Sequence, residues 1–146
     1  MRHALTLAER AAQAGDVPVG AVVVSSSGEL LGEGWNQRER DGDPSAHAEV
    51  VAIRAAAARL GTWRLAGCTL VVTMEPCPMC AGAAMLARVD RVVLGAWDPK
   101  LGACGSVWDV LRDRRATHRA EVVGGVLEQE CGDVVRRFFD GHRLPR

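Results

Sequence analysis

Apolar residues along the chain follow two patterns, short β-rich runs and longer stretches with helical spacing. Runs rich in Val, Leu and Thr predict strands, and the segment after the polar turn at 25–28 predicts a return strand. The predicted strands are residues 19–24, 29–35, 68–74, 91–96 and 121–124. Apolar residues spaced three and four apart predict helices, several of them ended by glycine. The predicted helices are residues 1–14, 45–60, 78–88, 106–112 (a short one) and 127–139.

Helices and strands alternate along the whole chain, with polar or irregular loops predicted at 36–44 and 97–105. This order favours an α/β layer structure in which the first two strands form a hairpin. No repeat or linker divides the sequence, so we expect one domain over residues 1–146. A chain of 146 residues, 48% of them hydrophobic, can bury a sizeable core without disulfides.

Charge and hydropathy argue against two classes of protein. Eighteen basic and eighteen acidic residues cancel, so the chain is not a polycation that coats nucleic acid. No apolar run reaches the ~18 residues of a membrane span, and the N-terminal segment lacks the apolar stretch of a signal peptide. We therefore expect no membrane association and a cytoplasmic location. Five cysteines without an export signal indicate metal or redox chemistry before a disulfide framework.

Two short segments carry the candidate chemistry, His47-Ala48-Glu49 and the later pair Cys77 and Cys80. Imidazole and two thiolates are good zinc ligands, and three protein ligands leave a fourth tetrahedral position for water. The two cysteines lie three apart in the first turn of a predicted helix, where both sulfurs can face one point and thiolates are favoured. Glu49 lies two residues after the imidazole, close enough to accept a proton from that water.

Each of these elements also has a simpler explanation. The Cys-x-x-Cys pair is compatible with a redox switch, and a lone histidine is more often structural than a ligand. The pair is also compatible with half of a structural zinc site completed by Cys68, Cys104 or Cys131. Otherwise Cys68 and Cys131 are predicted to be small core residues, with Cys104 undecided. The combination favours catalysis because it supplies three ligands, an acid–base group and an open position together.

The spacing H-x-E…P-C-x-x-C is the signature of zinc-dependent nucleoside deaminases. The flanking sequence resembles the bacterial tRNA-specific adenosine deaminases over nearly the whole chain. The segments that carry this resemblance include 17–22 (VPVGAV), 43–49 (DPSAHAE), 75–82 (EPCPMCAG) and 98–106 (DPKLGACGS). The resemblance implies a three-layer α/β/α cytidine deaminase-like fold with a central mixed five-stranded sheet. It also implies a homodimer that converts adenosine to inosine at the wobble position of a tRNA anticodon, in an arginine tRNA.

The same resemblance implies roles for individual residues. One Zn²⁺ per subunit would be held by His47, Cys77 and Cys80, with Glu49 as the catalytic proton shuttle. The substrate-binding residues would be Asn36, Ala48 (through its N–H), Asp98 and Phe139. Trp97 departs from the family pattern. In that pattern we expect a basic residue just before Asp98.

An anticodon loop is a plausible target because its bases are already partly unstacked and so cost less to extrude. A basic run is expected to contact RNA phosphates, with a solvated surface as the alternative explanation. Its members are Arg112, Arg114, Arg115, His118 and Arg119, followed by Arg136 and Arg137. At Phe138 and Phe139, core packing of one ring competes with base stacking. The alternative enzyme is a guanine or cytosine deaminase acting on a free base, and the non-enzymatic alternative is a structural zinc or RNA-binding module.

Overall fold

Five strands and five helices follow one another in the part of the chain that the computed structural model describes, residues 1–142. The helices are α1 (Arg2–Gln13), α2 (Arg38–Asp41), α3 (Ala48–Leu60), α4 (Pro78–Leu86) and α5 (Glu128–Gly141). The strands are β1 (Gly20–Val24), β2 (Leu30–Trp35), β3 (Thr69–Met74), β4 (Arg91–Ala96) and β5 (Glu121–Val123). Every predicted strand and all predicted helices but one are present, with bounds that differ from the prediction by at most three residues.

The five strands form one sheet in the order β2-β1-β3-β4-β5. The first two strands are the predicted antiparallel hairpin, and β1 also runs antiparallel to β3. The pairs β3–β4 and β4–β5 are parallel, so the sheet is mixed as expected. Parallel neighbours need a crossover connection, and α4 is the crossover between β3 and β4.

Helices cover both faces of the sheet, which gives the three layers that the resemblance implied. On one face α1 lies so close to β1 that a Cβ added to Gly20 would be 2.0 Å from the carbonyl oxygen of Ala4. On the other face a Cβ on Gly34 of β2 would be 2.3 Å from the carbonyl oxygen of Ala48 in α3. Helix α5 joins α1 on the first face, and α4 packs beside α3 on the second. Glycines in the strands therefore set how closely the helices approach the sheet.

The prediction of a short helix at 106–112 is wrong. These residues form turns, closed by an isolated bridge between Cys104 and Asp109 and by a 2.8 Å hydrogen bond from the Gly105 N–H to the Trp108 carbonyl. The N–H of Ser106 donates instead to the side chain of Glu75, a contact across the fold that the local pattern does not contain.

The predicted loop at 36–44 contains a four-residue helix, α2, that the sequence pattern missed. The buried carboxylate of Asp16 accepts hydrogen bonds from the N–H groups of Glu39 (2.7 Å) and Arg40 (3.2 Å). These donors lie in the first turn, where a helix has no internal acceptor for them. A residue more than twenty positions earlier thus stabilises a helix too short to form alone.

No helix within residues 1–142 is long and apolar enough to span a membrane. The expected domain extends to residue 146, and its last four residues, 143–146, lie outside the described part of the chain.

Candidate active site

Two helix N-termini meet at the site. His47 is the residue that precedes α3, and Cys77 is the residue that precedes α4, both with extended backbone conformations. Pro78 occupies the first position of α4, where a missing N–H costs nothing, and this places Cys80 in the same turn. The positive ends of both helix dipoles therefore lie at the ligand group, and a helix N-terminus favours the ionised form of a nearby thiol.

The three predicted ligands lie close together. The Nδ1 atom of His47 is 3.6 Å from the Sγ of Cys77 and 3.4 Å from the Sγ of Cys80. In a tetrahedral zinc site with ordinary Zn–N and Zn–S bonds of ~2.0–2.1 and ~2.3 Å, such atoms lie about 3.6 Å apart. The residues therefore fit a zinc ion. They are also the one group of three metal-ligating side chains found in residues 1–142.

The two thiols have opposite pKa shifts. Hydrogen bonds from Cys80 and His47 lower the pKa of Cys77 to about 4, so this sulfur is a thiolate at neutral pH. The hydrogen bond to Cys77, together with burial, raises the pKa of Cys80. A divalent cation that binds both sulfurs would displace the second proton, because thiolates are the ligating form.

Glu49 lies in the first turn of α3 with its side chain almost entirely buried, 4% exposed. Burial raises the pKa of this carboxyl, while its own backbone N–H and the Cys80 thiol oppose the shift. A carboxyl that is buried beside candidate metal ligands and whose pKa is raised is suited to accepting and returning a proton.

A cavity of about 480 Å³ opens over these groups and is lined by His47, Glu49 and Cys77. All four residues expected to bind substrate also line it. They are Asn36, Ala48, Asp98 and Phe139. Residues from three separate regions of the sequence therefore line the same cavity. Its volume is large enough for a nucleobase and its sugar.

Two of these four side chains are held by backbone groups. The buried amide of Asn36 donates to the Val17 carbonyl (3.1 Å) and accepts from the Arg38 N–H (3.3 Å). The carboxylate of Asp98 accepts from the N–H groups of Lys100 (2.9 Å) and Leu101 (3.3 Å). Their orientations are thus fixed by the chain before any substrate binds.

Phe139 is the exposed member of the aromatic pair on α5. Half of its surface is accessible (50%), whereas Phe138 is half-buried and stacks against His142. One ring is therefore packed and the other is open, as expected from the competition between core packing and base stacking at this pair.

The sequence reasoning missed Glu75, a buried carboxylate between β3 and Cys77. It accepts hydrogen bonds from the N–H groups of Asp98 (2.9 Å), Cys104 (3.0 Å) and Ser106 (3.0 Å), and from the Ser106 hydroxyl. Glu75 therefore fastens the segment 97–106, which forms part of the cavity wall, to the strand end that leads into the metal ligands. An acidic residue at the end of a buried strand was the available sequence signal.

The structure excludes the Cys₄ alternative for residues 1–142, because no third thiol joins the ligand group. Cys68 and Cys131 are buried core residues as predicted, and Cys104, which was undecided, is fully buried. All five cysteines are free thiols.

The basic run is partly neutralised by its own neighbours. Arg112 pairs with Asp109 (2.9 Å) and Arg115 with Asp113 (2.8 Å). The guanidinium of Arg119 donates to the Arg114 carbonyl. RNA binding by this surface stays a prediction.

A family model described as the cytidine and deoxycytidylate deaminase zinc-binding region matches residues 1–96. The match covers both ligand segments and Glu49, and the chain belongs to this family of zinc-dependent deaminases. It is 50% identical over 139 residues to the tRNA-specific adenosine deaminase of Bacillus subtilis, covering 95% of this chain and 86% of that protein. It is also 51% identical over 146 residues to the tRNA(Ile)-lysidine synthase of Deinococcus deserti, of which it spans 27%.

Solved structures agree with the fold and the family. A structure from a study of A-to-I editing by tRNA:A34 deaminases at the wobble position superposes with a TM-score of 0.88 at 39% identity. That match covers 92% of this chain and 96% of the other. A guanine deaminase from Nitrosomonas europaea superposes with a TM-score of 0.81 at 26% identity, covering 94% of this chain and 81% of the other.

Proposed function

We propose that this chain hydrolyses the 6-amino group of adenosine to give inosine and ammonia, at the wobble position of a tRNA anticodon. The observation that carries the proposal is the three-ligand group of His47, Cys77 and Cys80, which faces a cavity with the carboxyl of Glu49 in its wall. A structural zinc site would use four protein ligands, whereas a catalytic one keeps a position open. The substrate is inferred from the 50% identical Bacillus relative and from the tRNA:A34 deaminase structure.

In this reaction Glu49 moves protons. Its carboxylate takes one proton from the attacking water and gives it to the ring nitrogen N1 as the C6–O bond forms. It then takes the second proton from the new C6 hydroxyl and gives it to the amino group, which leaves as ammonia when the C6–N bond breaks. The raised pKa of the buried carboxyl suits it to hold the proton between these steps. A zinc ion bound at the site would lower the pKa of a coordinated water towards neutrality and so supply the nucleophile. The products balance as inosine plus ammonia from adenosine plus water.

The cavity walls then orient the nucleoside. Asn36 would hydrogen-bond the nucleoside through its remaining amide capacity, and the N–H of Ala48 at the start of α3 would contact the base. Asp98 would accept from a sugar hydroxyl beside the target. The exposed ring of Phe139 would pack against an adjacent part of the loop.

The proposal extends to the domain organisation, the oligomeric state and the location of the protein. Residues 1–146 form one deaminase domain, supported by the single sheet to which both ends of the described chain pack. The chain acts as a homodimer in the cytoplasm, where tRNA is available, and binds one zinc ion per subunit. The dimer is open to test by sedimentation or light scattering.

The deciding experiment incubates the zinc-loaded protein with an anticodon stem-loop that carries adenosine at the wobble position. Inosine is scored by sequencing and ammonia by a coupled assay. Free guanine, cytosine and adenosine are tested in parallel, since a guanine deaminase shares the fold at a TM-score of 0.81. Inosine at the wobble position alone supports the proposal. Deamination of a free base with no deamination of the stem-loop would instead support the free-base alternative.

A further inference from the structure

Trp97 is an exposed aromatic residue at the rim of the cavity. It follows β4 directly, and 39% of its surface is accessible. Its indole ring lies against Gly124, so close that a Cβ there would be 2.1 Å from the Cζ2 atom of the ring. The absence of a side chain at Gly124 thus makes room for the ring and limits where it can lie.

The indole is shared between two concave surfaces. On one side it lines the 480 Å³ cavity that contains Glu49. On the other it lines a depression of about 510 Å³ next to α5, together with Ala96, Glu128, Gln129, Gly132 and Arg136. The cavity and the depression therefore adjoin at Trp97, so a group covalently joined to an occupant of the cavity has the depression beside it.

We propose that Trp97 stacks on a base adjacent to the target adenosine and so positions the RNA beside the reaction site. This inference rests on the proposed function, because only a polynucleotide substrate has such a neighbour. Single-stranded RNA is recognised largely by stacking of unstacked bases on aromatic side chains, and every base offers a flat π-face.

The charges around the depression favour a base over a phosphate. The guanidinium of Arg136 is ion-paired with Asp133, and Glu128 adds a negative charge at the same surface. A phosphate would meet no net positive charge there, whereas a neutral base can lie on the indole. The depression therefore fits the base of the neighbouring nucleotide and leaves its phosphate outside.

The test combines changes in the protein with changes in the substrate. The variants are W97A, W97F and G124A, which displaces the ring without altering it, with W63A as a control. Trp63 is an exposed tryptophan just beyond the C-terminal end of α3, and the thirteen residues of that helix put it ~20 Å from the His47 end. The substrates are the intact stem-loop and two versions in which the nucleotide before or after the target is abasic. Zinc content confirms that each variant is folded.

On the intact stem-loop we expect W97A to lower kcat/KM by ~5- to 150-fold, mostly through KM, which is the effect of losing one stacked base. G124A should lower it similarly, W97F should recover most of it, and W63A should have no effect. On one of the two abasic substrates W97A and the unaltered protein should differ by less than about twofold, because the stacking partner is already gone.

Two results would overturn the proposal while leaving the proposed function intact: equal activity of W97A and the unaltered protein on the intact loop, or an equal loss on the intact loop and both abasic versions. Absence of inosine with the unaltered protein would instead refute the proposed function, and this inference with it.

Discussion

The buried carboxylate of Glu75 accepts hydrogen bonds from both the backbone N–H and the hydroxyl of Ser106, thirty-one residues later in the chain. Both of its oxygens are used, since Oε1 also accepts from the Asp98 N–H and Oε2 from the Cys104 N–H. Hydrogen bonds to this one side chain therefore hold segment 97–106 in place of regular secondary structure. The cavity wall depends on this side chain, which lines the cavity itself and is not one of the candidate metal ligands.

Replacing Glu75 with glutamine should destabilise the fold. In either orientation of the amide, its NH₂ group faces a backbone N–H, so a buried donor loses its acceptor. We expect a loss of about 1–3 kcal/mol in the free energy of unfolding, measured by urea titration. Glu121→Gln is the control, because its carboxylate makes an exposed ion pair with Arg91, worth less than about 1 kcal/mol. Equal effects of the two changes would contradict the anchoring role.

Glu49→Gln should preserve the fold and zinc content but lower kcat by at least ~10²–10⁴-fold, the usual contribution of a general acid–base group. The amide is nearly the same size as the carboxyl and cannot carry the proton. Initial rates of inosine formation, read alongside zinc content, provide the measurement. A variant that keeps full turnover would favour the non-enzymatic alternative.

Cys80→Ser should reduce bound zinc from about one equivalent per chain to almost none after desalting, because a serine hydroxyl is a poor replacement for a thiolate ligand. Cys131→Ala is the matched control, since that thiol is buried in the core and outside the ligand group. Elemental analysis gives the zinc content. Chelation should also lower the Tm of the unaltered protein, because a metal that binds only the folded state stabilises it. Full zinc retention by the serine variant would exclude the proposed ligand set.

How far the sequence predicts this molecule depends on the range of the interactions involved. The strands and long helices follow from local periodicity, and the ligand spacing predicts a cluster that the fold brings together. Helix α2 and the turns at 106–112 were not predictable in this way, because they depend on Asp16 and Glu75, whose partners lie 23 to 31 residues away. The cavity residues Asn36 and Asp98 came from the family resemblance, since neither has a distinctive pattern around it.

Alkaline pH should destabilise the protein through Cys104. Burial raises the pKa of this thiol from its ordinary 9.0 to about 12, so the unfolded chain loses the proton first. Stability is then fully present below pH 9 and falls as pH rises towards 12. At pH 10.5 the loss from this group should be about 2 kcal/mol. Urea unfolding at pH 8 and 10.5 should reveal a smaller pH-dependent loss in Cys104→Ala. An unchanged loss would assign the effect to other groups.

Gly34→Ala should disturb the site from outside it. The added Cβ would be 2.3 Å from the carbonyl oxygen of Ala48, so α3 would have to move away from the sheet and carry His47 with it. We expect a loss of about 1–3 kcal/mol in stability and weaker zinc binding. Gly132→Ala is the contrast, because its Cβ would be 3.5 Å from the flexible end of Arg136 and helical alanine is favoured over glycine. Unfolding titrations and zinc competition assays compare the two, and a neutral Gly34→Ala would refute the close packing.

The candidate ligands and the proton carrier belong to α3 and α4 on one side of the sheet, whereas Trp97, Asp98 and Phe139 come from the loop after β4 and from α5. Apart from Asn36 and Ala48, the residues proposed to recognise the substrate thus lie on other elements than the proposed reactive groups. Exchange of the rim alone, by recombination or by design, offers a route to new targets for the same hydrolytic centre.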